Sequence, residues 1–221
     1  MPRPTSPILS RNKIATAALQ VVDDHGDFTI GQVAGALGVR PSSLYNHVSG
    51  RTEIIELMRD HLVPEWLGDH PAADDFTAAP GTPWQDALEA FVTEYRNALG
   101  AHPRLVPLLT SSTVAAPKIT SFYQALAAVL REAGFLDEHL LDAVTTVDGF
   151  AIGAALDLVA PEHIWDPSHF TDGPMHDALH NAPSGRRRAD QSFAFGLQVL
   201  VQGLRAQCER LKSDTSRPSG D

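Results

Sequence analysis

One cysteine, Cys208, is present among 221 residues. A single thiol cannot close an intrachain disulfide, and a four-cysteine zinc site is excluded with it. No continuous apolar run approaches the roughly 18–20 residues of a membrane span. The opening Met1-Pro-Arg-Pro-Thr-Ser-Pro lacks the apolar centre of a secretory signal, so a cytoplasmic protein without a membrane partner is expected. Alternating apolar and polar runs long enough for strands are missing as well. So are a Ser-His-Asp order, a phosphate loop, a Gly-x-Gly-x-x-Gly turn and a paired metal motif, which argues against an enzyme and against a bound cofactor. Positive charge is scarce: 17 Lys and Arg face 27 Asp and Glu, for a formal net charge of −10.

That deficit is uneven. Residues 1–51 carry five basic groups (Arg3, Arg11, Lys13, Arg40, Arg51) against three acids, a local +2 on a body of −12. Screening over about 8 Å at physiological salt lets a basic end follow phosphates despite an acidic remainder. The 43% apolar share is that of a globular chain with a sizeable core.

What is present reads as helix nearly throughout, with apolar positions recurring at three and four. Ser10 caps a first helix bearing Ile14, Ala18, Val21 and Val22, which ends near Gly26. Thr29 opens a second, with Gln32 three residues on as a capping box, and Gly38 stops it. Pro41 suits the first turn of a third, expected to run through about Val48. A fourth begins at Ser49 or Gly50 with Glu53 in its first turn. Residues 68–83 hold breakers and few apolar residues, a linker. A body over 84–212 follows: the capping box Thr82-Pro-Trp-Gln85 opens a helix bearing Leu88, Phe91, Tyr95 and Leu99, and others are expected near Leu105–Leu109, from Pro117 to Gly134-Phe135, near Glu138–Ala160 and near Asp190–Leu211. The stretch 161–189, rich in Pro, Gly, His and Asp, is expected to be a loop with one helical turn or two. Residues 213–221 are expected to be a disordered tail.

Thr29 to Val48 is the most informative stretch. Two short helices meet at Leu37-Gly38-Val39, where a glycine can take positive φ without steric cost. Leu44 and Val48 point inward, leaving Arg40, Ser42, Ser43, Tyr45, Asn46 and His47 on the other surface, a donor-rich set suited to a major groove. The stretch TIGQVAGALGVRPSSLYNHVSGRTEII resembles the DNA-binding domain of the tetracycline-repressor (TetR) family. Thr29, Val33, Ala34, Leu37, Gly38, Val39, Ser43, Leu44, Tyr45, His47 and Val48 all fit that family's pattern. Looser likenesses follow in Trp84-Gln-Asp86, Ala133-Gly-Phe135 and Phe195-Gly-Leu197. The resemblance implies an all-α protein: a three-helix helix-turn-helix domain over 10–67 and a helical effector-binding and dimerisation body.

It also implies roles. Thr29, Tyr45, His47 and Arg51 match residues that contact phosphates, while Arg40, Pro41, Ser42, Ser43 and Asn46 match those facing bases. Arg40 is the candidate for a bidentate guanine contact. The plainer alternative is that Tyr45 and His47 pack between helices; for Arg11 and Lys13 a solvated face competes with phosphate contact. One such module reads few base pairs, so a two-fold homodimer on palindromic double-stranded operator DNA is expected. Asp148–Ala155 and Phe193–Leu197, mixing small and bulky apolar residues, are the candidate seam; packing within one subunit is the other reading.

Phe91, Tyr95, Leu105, Leu109, Phe122, Leu126 and Phe150 are candidate lining for a small-molecule effector site, each with an alternative as ordinary core. Where drug-sensing family members hold magnesium with a histidine, this chain aligns Leu109, and an acidic partner position aligns with Asp157. A more apolar effector than a tetracycline–magnesium chelate is therefore expected. His163, His169, His176 and His180 lack further ligands at known spacings, so no metal site is expected. The reading that results is a repressor released from its operator by a largely apolar effector. Its alternatives are an effector-independent regulator or activator of the same fold and, more distantly, a helical enzyme.

Overall fold

The computed structural model describes residues 9–67 and 81–215, and every regular element among them is helical. They are α1 (Arg11–His25), α2 (Ile30–Ala36), α3 (Pro41–Leu44), α4 (Arg51–Leu67), α5 (Trp84–Ala101), α6 (Val106–Thr110), α7 (Pro117–Ala133), α8 (Asp137–Asp157), α9 (Gly173–Asn181) and α10 (Gly185–Thr215). A 3-10 turn, Pro167–His169, precedes α9. Of the expected linker, residues 68–80 lie outside the described residues, as do 216–221 of the expected tail. Helix α10 continues through Thr215, past residue 212.

Local signals set the helix ends. Ser10 Oγ accepts from Lys13 N at 3.3 Å, and Gly26, at φ +79°, closes α1 by donating to Val22 O at 2.7 Å. Thr29 and Gln32 form the reciprocal capping box: Thr29 Oγ1 accepts from Gln32 N at 3.2 Å, and Gln32 Oε1 accepts from Thr29 N at 2.7 Å. Beyond α2, Gly38 takes φ +66°, while Val39 N donates to Ala34 O and Gly38 N to Gly35 O, a Schellman ending. Gly134 and buried Phe135 end α7 in the same way, with Phe135 N donating to Leu130 O at 3.1 Å.

Besides α10, helices α3 and α9 differ in length from expectation. Helix α3 stops at Leu44 rather than Val48; His47 N and Val48 N both return to Leu44 O, so a tight turn presents Tyr45, Asn46 and His47. Helix α9 spans nine residues and none of them is buried. Its apolar residues, Met175, Ala178 and Leu179, make only a short pattern among Pro, Gly, His and Asp.

The chain divides into two compact units, residues 1–77 with 101–125, and residues 78–100 with 126–221. The core of the first includes Ile14, Ala18, Val22, Val33, Leu44, Ile54, Met58 and Leu62, all essentially inaccessible. Within it, α4 also grips the chain around the start of α7. Glu56 Oε2 accepts from Ala115 N and Ala116 N at 2.7 and 2.8 Å, and Asp60 Oδ1 accepts from Lys118 N and Ile119 N at 3.0 and 3.2 Å. Buried Arg59 pairs with Glu56 at 3.0 Å and donates to Leu109 O and Ser112 Oγ at 2.6 and 2.8 Å. The second unit is knitted by buried Arg96 of α5, which pairs with Asp190 at 2.8 Å and lies 4.3 Å over the Phe193 ring of α10.

Candidate nucleic-acid interface

The corner Leu37–Val39 sets α2 against α3, and buried Leu44 and Val48 pin α3 to the core. Arg40, Pro41, Ser42, Tyr45 and Asn46 are exposed, while Ser43 and His47 are half-buried. Tyr45 is 56% accessible, so its ring does not pack between helices in this structure. An aromatic ring left in solvent beside arginine, serine and asparagine side chains offers hydrogen-bond donors and a flat face outward.

The scaffold beneath this surface is clamped by charge. Arg11 Nη1 of α1 donates to His47 O at 2.9 Å and pairs with Glu53 of α4. Glu53 Oε2 in turn accepts from Ser49 N at 2.6 Å, ahead of α4. The Ser49 amide, with the Ser49 hydroxyl and the Arg11 guanidinium behind it, holds the Glu53 carboxyl below the usual carboxylate range. Arg11 thus acts as a strut between α1 and the turn after α3, a role that no local pattern announces.

Two expected phosphate contacts already have partners. Thr29 Oγ1 is committed to capping α2 and donates to Gln32 Oε1 at 2.9 Å. Arg51 donates to Phe28 O and to Asp27 Oδ1, and lies 4.4 Å over the Phe28 ring. The Arg51 hydrogen bond, and after it the Phe28 amide, holds the Asp27 carboxyl low. The Arg51 side chain nevertheless remains 41% exposed.

The seven candidate effector-lining residues are shared between the units, with Leu105, Leu109 and Phe122 in the first and Phe91, Tyr95, Leu126 and Phe150 in the second. Leu105, Leu109, Phe122, Tyr95 and Leu126 are buried, whereas Phe91 and Phe150 are half-buried. Tyr95 donates its hydroxyl to Asp148 at 3.0 Å. Phe150 stacks on Phe193 at 5.7 Å, and a Cβ built on Gly196 would lie 2.7 Å from the Phe150 ring, so a small residue is needed where α8 meets α10. Asp157 receives both terminal nitrogens of Arg188, at 3.0 and 2.7 Å.

A model of the tetracyclin repressor-like carboxy-terminal domain matches residues 77–208, more than half of the chain. The chain belongs to the tetracycline-repressor family. It is thereby a DNA-binding transcriptional regulator with an amino-terminal helix-turn-helix. This family member is 26% identical to the HTH-type transcriptional repressor DrrR1 of Streptomyces coeruleorubidus, over 91% of this chain and 79% of that one. It is 27% identical to the class E tetracycline repressor protein of Escherichia coli, over 92% and 94%. Among solved structures it is similar to Mycobacterium smegmatis BioQ, with 26% identity, a TM-score of 0.64, and 90% and 99% coverage.

Within the family frame, sequence reasoning missed Arg11, Asp27 and Glu53 as the struts of the reading surface. Their partners lie 24–42 residues away in sequence, as with Arg11 to His47 and Arg51 to Asp27.

Proposed function

We propose that this regulator is a homodimeric repressor whose α2–α3 unit reads a palindromic operator and which a small, largely apolar molecule releases. The observation that carries it is the exposed set Arg40, Ser42, Tyr45 and Asn46 on a turn whose backbone Arg11 and Glu53 hold in place. Phosphate contacts fix register and base contacts set sequence choice. In this reading Tyr45, His47, Thr29 and Arg51 approach phosphates, with Arg51 exchanging part of its Asp27 contact for one. Arg40, Pro41, Ser42, Ser43 and Asn46 face bases. Repression is supported by relatives that are themselves named repressors.

The homodimer is supported by α8 and α10. Helix α8 is the one described helix long and apolar enough to cross a membrane, although Asp142 and Asp148 interrupt it. Its apolar residues are largely unburied within one protomer: Leu141 is 73% exposed, and Gly149 and Gly153 have open space where a Cβ would sit. Phe195 and Val199 of α10 are 70% and 52% exposed. Apolar faces of that kind match a partner helix pair.

The effector reading rests on Leu109 and Asp157. Leucine offers no lone pair to a metal, and the Asp157 carboxylate is already matched by a bidentate arginine. The residues present do not fit a tetracycline–magnesium chelate. Selection of bound DNA from a random pool, repeated with wild type and the Arg40→Ala/Tyr45→Ala double variant, tests the reading. A palindrome enriched by wild type alone supports it. Equal enrichment by the variant overturns the assigned surface.

A further inference from the structure

Arg51, the first residue of α4, and Asp27, in the short link between α1 and α2, meet over one residue, Phe28. Asp27 Oδ1 accepts from Phe28 N at 2.7 Å, which fixes the carboxylate against the backbone. The Arg51 guanidinium lies 4.4 Å over the Phe28 ring, donating from Nη1 to Phe28 O and from Nη2 to that same Asp27 Oδ1. Phe28 is 2% exposed, so its ring, amide and carbonyl make a fixed floor. The two charged side chains stay at the surface, 41% exposed for Arg51 and 67% for Asp27.

Carboxylate and phosphate oxygens meet a guanidinium through the same N–H donors, so the two compete for it. The pair faces solvent, where water and salt screen it, and it is therefore weak enough to exchange. Asp27 nonetheless stays ionised through the neutral range. The Arg51 hydrogen bond, and after it the Phe28 amide, holds its carboxyl low.

We propose that Asp27 is an internal competitor of DNA phosphate for Arg51, and that it lowers the affinity of the reading unit for DNA of any sequence. This rests on the reading above that Arg51 approaches a phosphate. When phosphate takes the guanidinium, the Asp27 carboxylate loses its counter-charge beside a polyanion. Phosphate contacts carry no sequence information, so the acid weakens the grip without altering base choice. A cation recruited to the bared carboxylate offsets one released from DNA. The salt dependence is then shallower than the number of phosphate contacts implies.

The test is a double-mutant cycle in the full-length protein: wild type, Asp27→Asn, Arg51→Met and the two together. Asparagine keeps the Oδ1 acceptor for Phe28 N and removes only the charge, while methionine keeps an apolar stem to lie on the Phe28 ring. The probe is a mixed-sequence DNA duplex, titrated by fluorescence anisotropy across a range of salt, with thermal melts to check the fold of each variant. Asp27→Asn should tighten binding about two- to fivefold. It should also steepen the slope of log K against log salt by up to about 0.9 per bound reading unit. In the Arg51→Met background the same substitution relieves only repulsion from DNA. Its gain should there be at most half as large, with the slope unmoved. A gain as large or larger in the Arg51→Met background would overturn the proposal and leave Asp27 a plain repulsive charge. Wild-type affinity and slope in Arg51→Met itself would overturn the phosphate role of Arg51, so the two failures are read separately.

Discussion

At the scale of single residues, the reading surface separates side chains that choose sequence from side chains that hold position. Arg40 is exposed at the N-cap of α3, and the proposed reading turns its guanidinium toward base edges. Arg40→Ala should relax preference at one base pair per half-site, costing about 1–3 kcal/mol of discrimination. Tyr45→Phe removes only the hydroxyl and should weaken binding to all sequences alike. Competition binding against single-base operator variants distinguishes the two patterns; a uniform loss from Arg40→Ala would move it to the phosphate group. Glu53 gives a pH signature. Its carboxyl is held low by the Ser49 amide first, so its contribution is present above the unfolded value of about 4.3. That contribution is lost as pH falls through the lower folded value. Thermal melts should therefore show wild type ahead of Glu53→Gln near neutrality and the two converging in acid. A difference that persisted undiminished into strong acid would show that the carboxylate charge was not its source.

At the scale of elements, what was legible in the sequence was what neighbours within five residues decide. Ser10, the Thr29–Gln32 box, Gly38 and Gly134 all mark helix ends because caps close over one turn. The polar face of Arg40–His47 was legible for the same reason. What was not legible depends on partners far along the chain. Arg59 reaches Leu109 and Ser112, Arg96 reaches Asp190, and Arg188 reaches Asp157; the first two arginines are buried and the third half-buried by contacts that no periodicity encodes. Helix α9, at nine residues, runs a little past the turn or two expected in its Pro-, Gly- and His-rich stretch, and α10 starts at Gly185 rather than Asp190 because the polar turn Arg186–Arg188 is anchored through Asp157. The buried Glu56–Arg59 pair makes this concrete. Arg59→Leu strips Glu56 of its counter-charge and leaves Leu109 O and Ser112 without their donor. Breaking a buried pair in this way costs about 3–5 kcal/mol. Denaturant unfolding should show a loss of that order, whereas a change under about 1 kcal/mol would mean that water satisfies the site. Gly38→Ala meets open space but a φ of +66°, so its cost should be backbone strain alone, about 1–2 kcal/mol.

At the scale of the whole molecule, a chain of net charge −10 must hold its basic reading ends on DNA, and one reading unit covers too little sequence to do so alone. Two units gain from being linked, because the second binding event becomes intramolecular. Their spacing must match successive major grooves, about 34–36 Å apart, so the dimer seam sets both affinity and site geometry. In the proposed dimer the open faces of α8 and α10 carry that seam. Leu141 and Phe195 are 73% and 70% exposed in the protomer, so charging them should cost the protomer's own fold little. Leu141→Asp with Phe195→Asp should sediment as a monomer, retain helical circular dichroism, and bind a single half-site as weakly as it binds the full palindrome. The salt dependence should report the same change, since each phosphate contact adds about 0.9 to the slope of log K against log salt. Wild type on a full palindrome should show about twice the slope of the substituted protein. A substituted protein that stays dimeric, with undiminished slope and affinity, would place the seam on another face of the body.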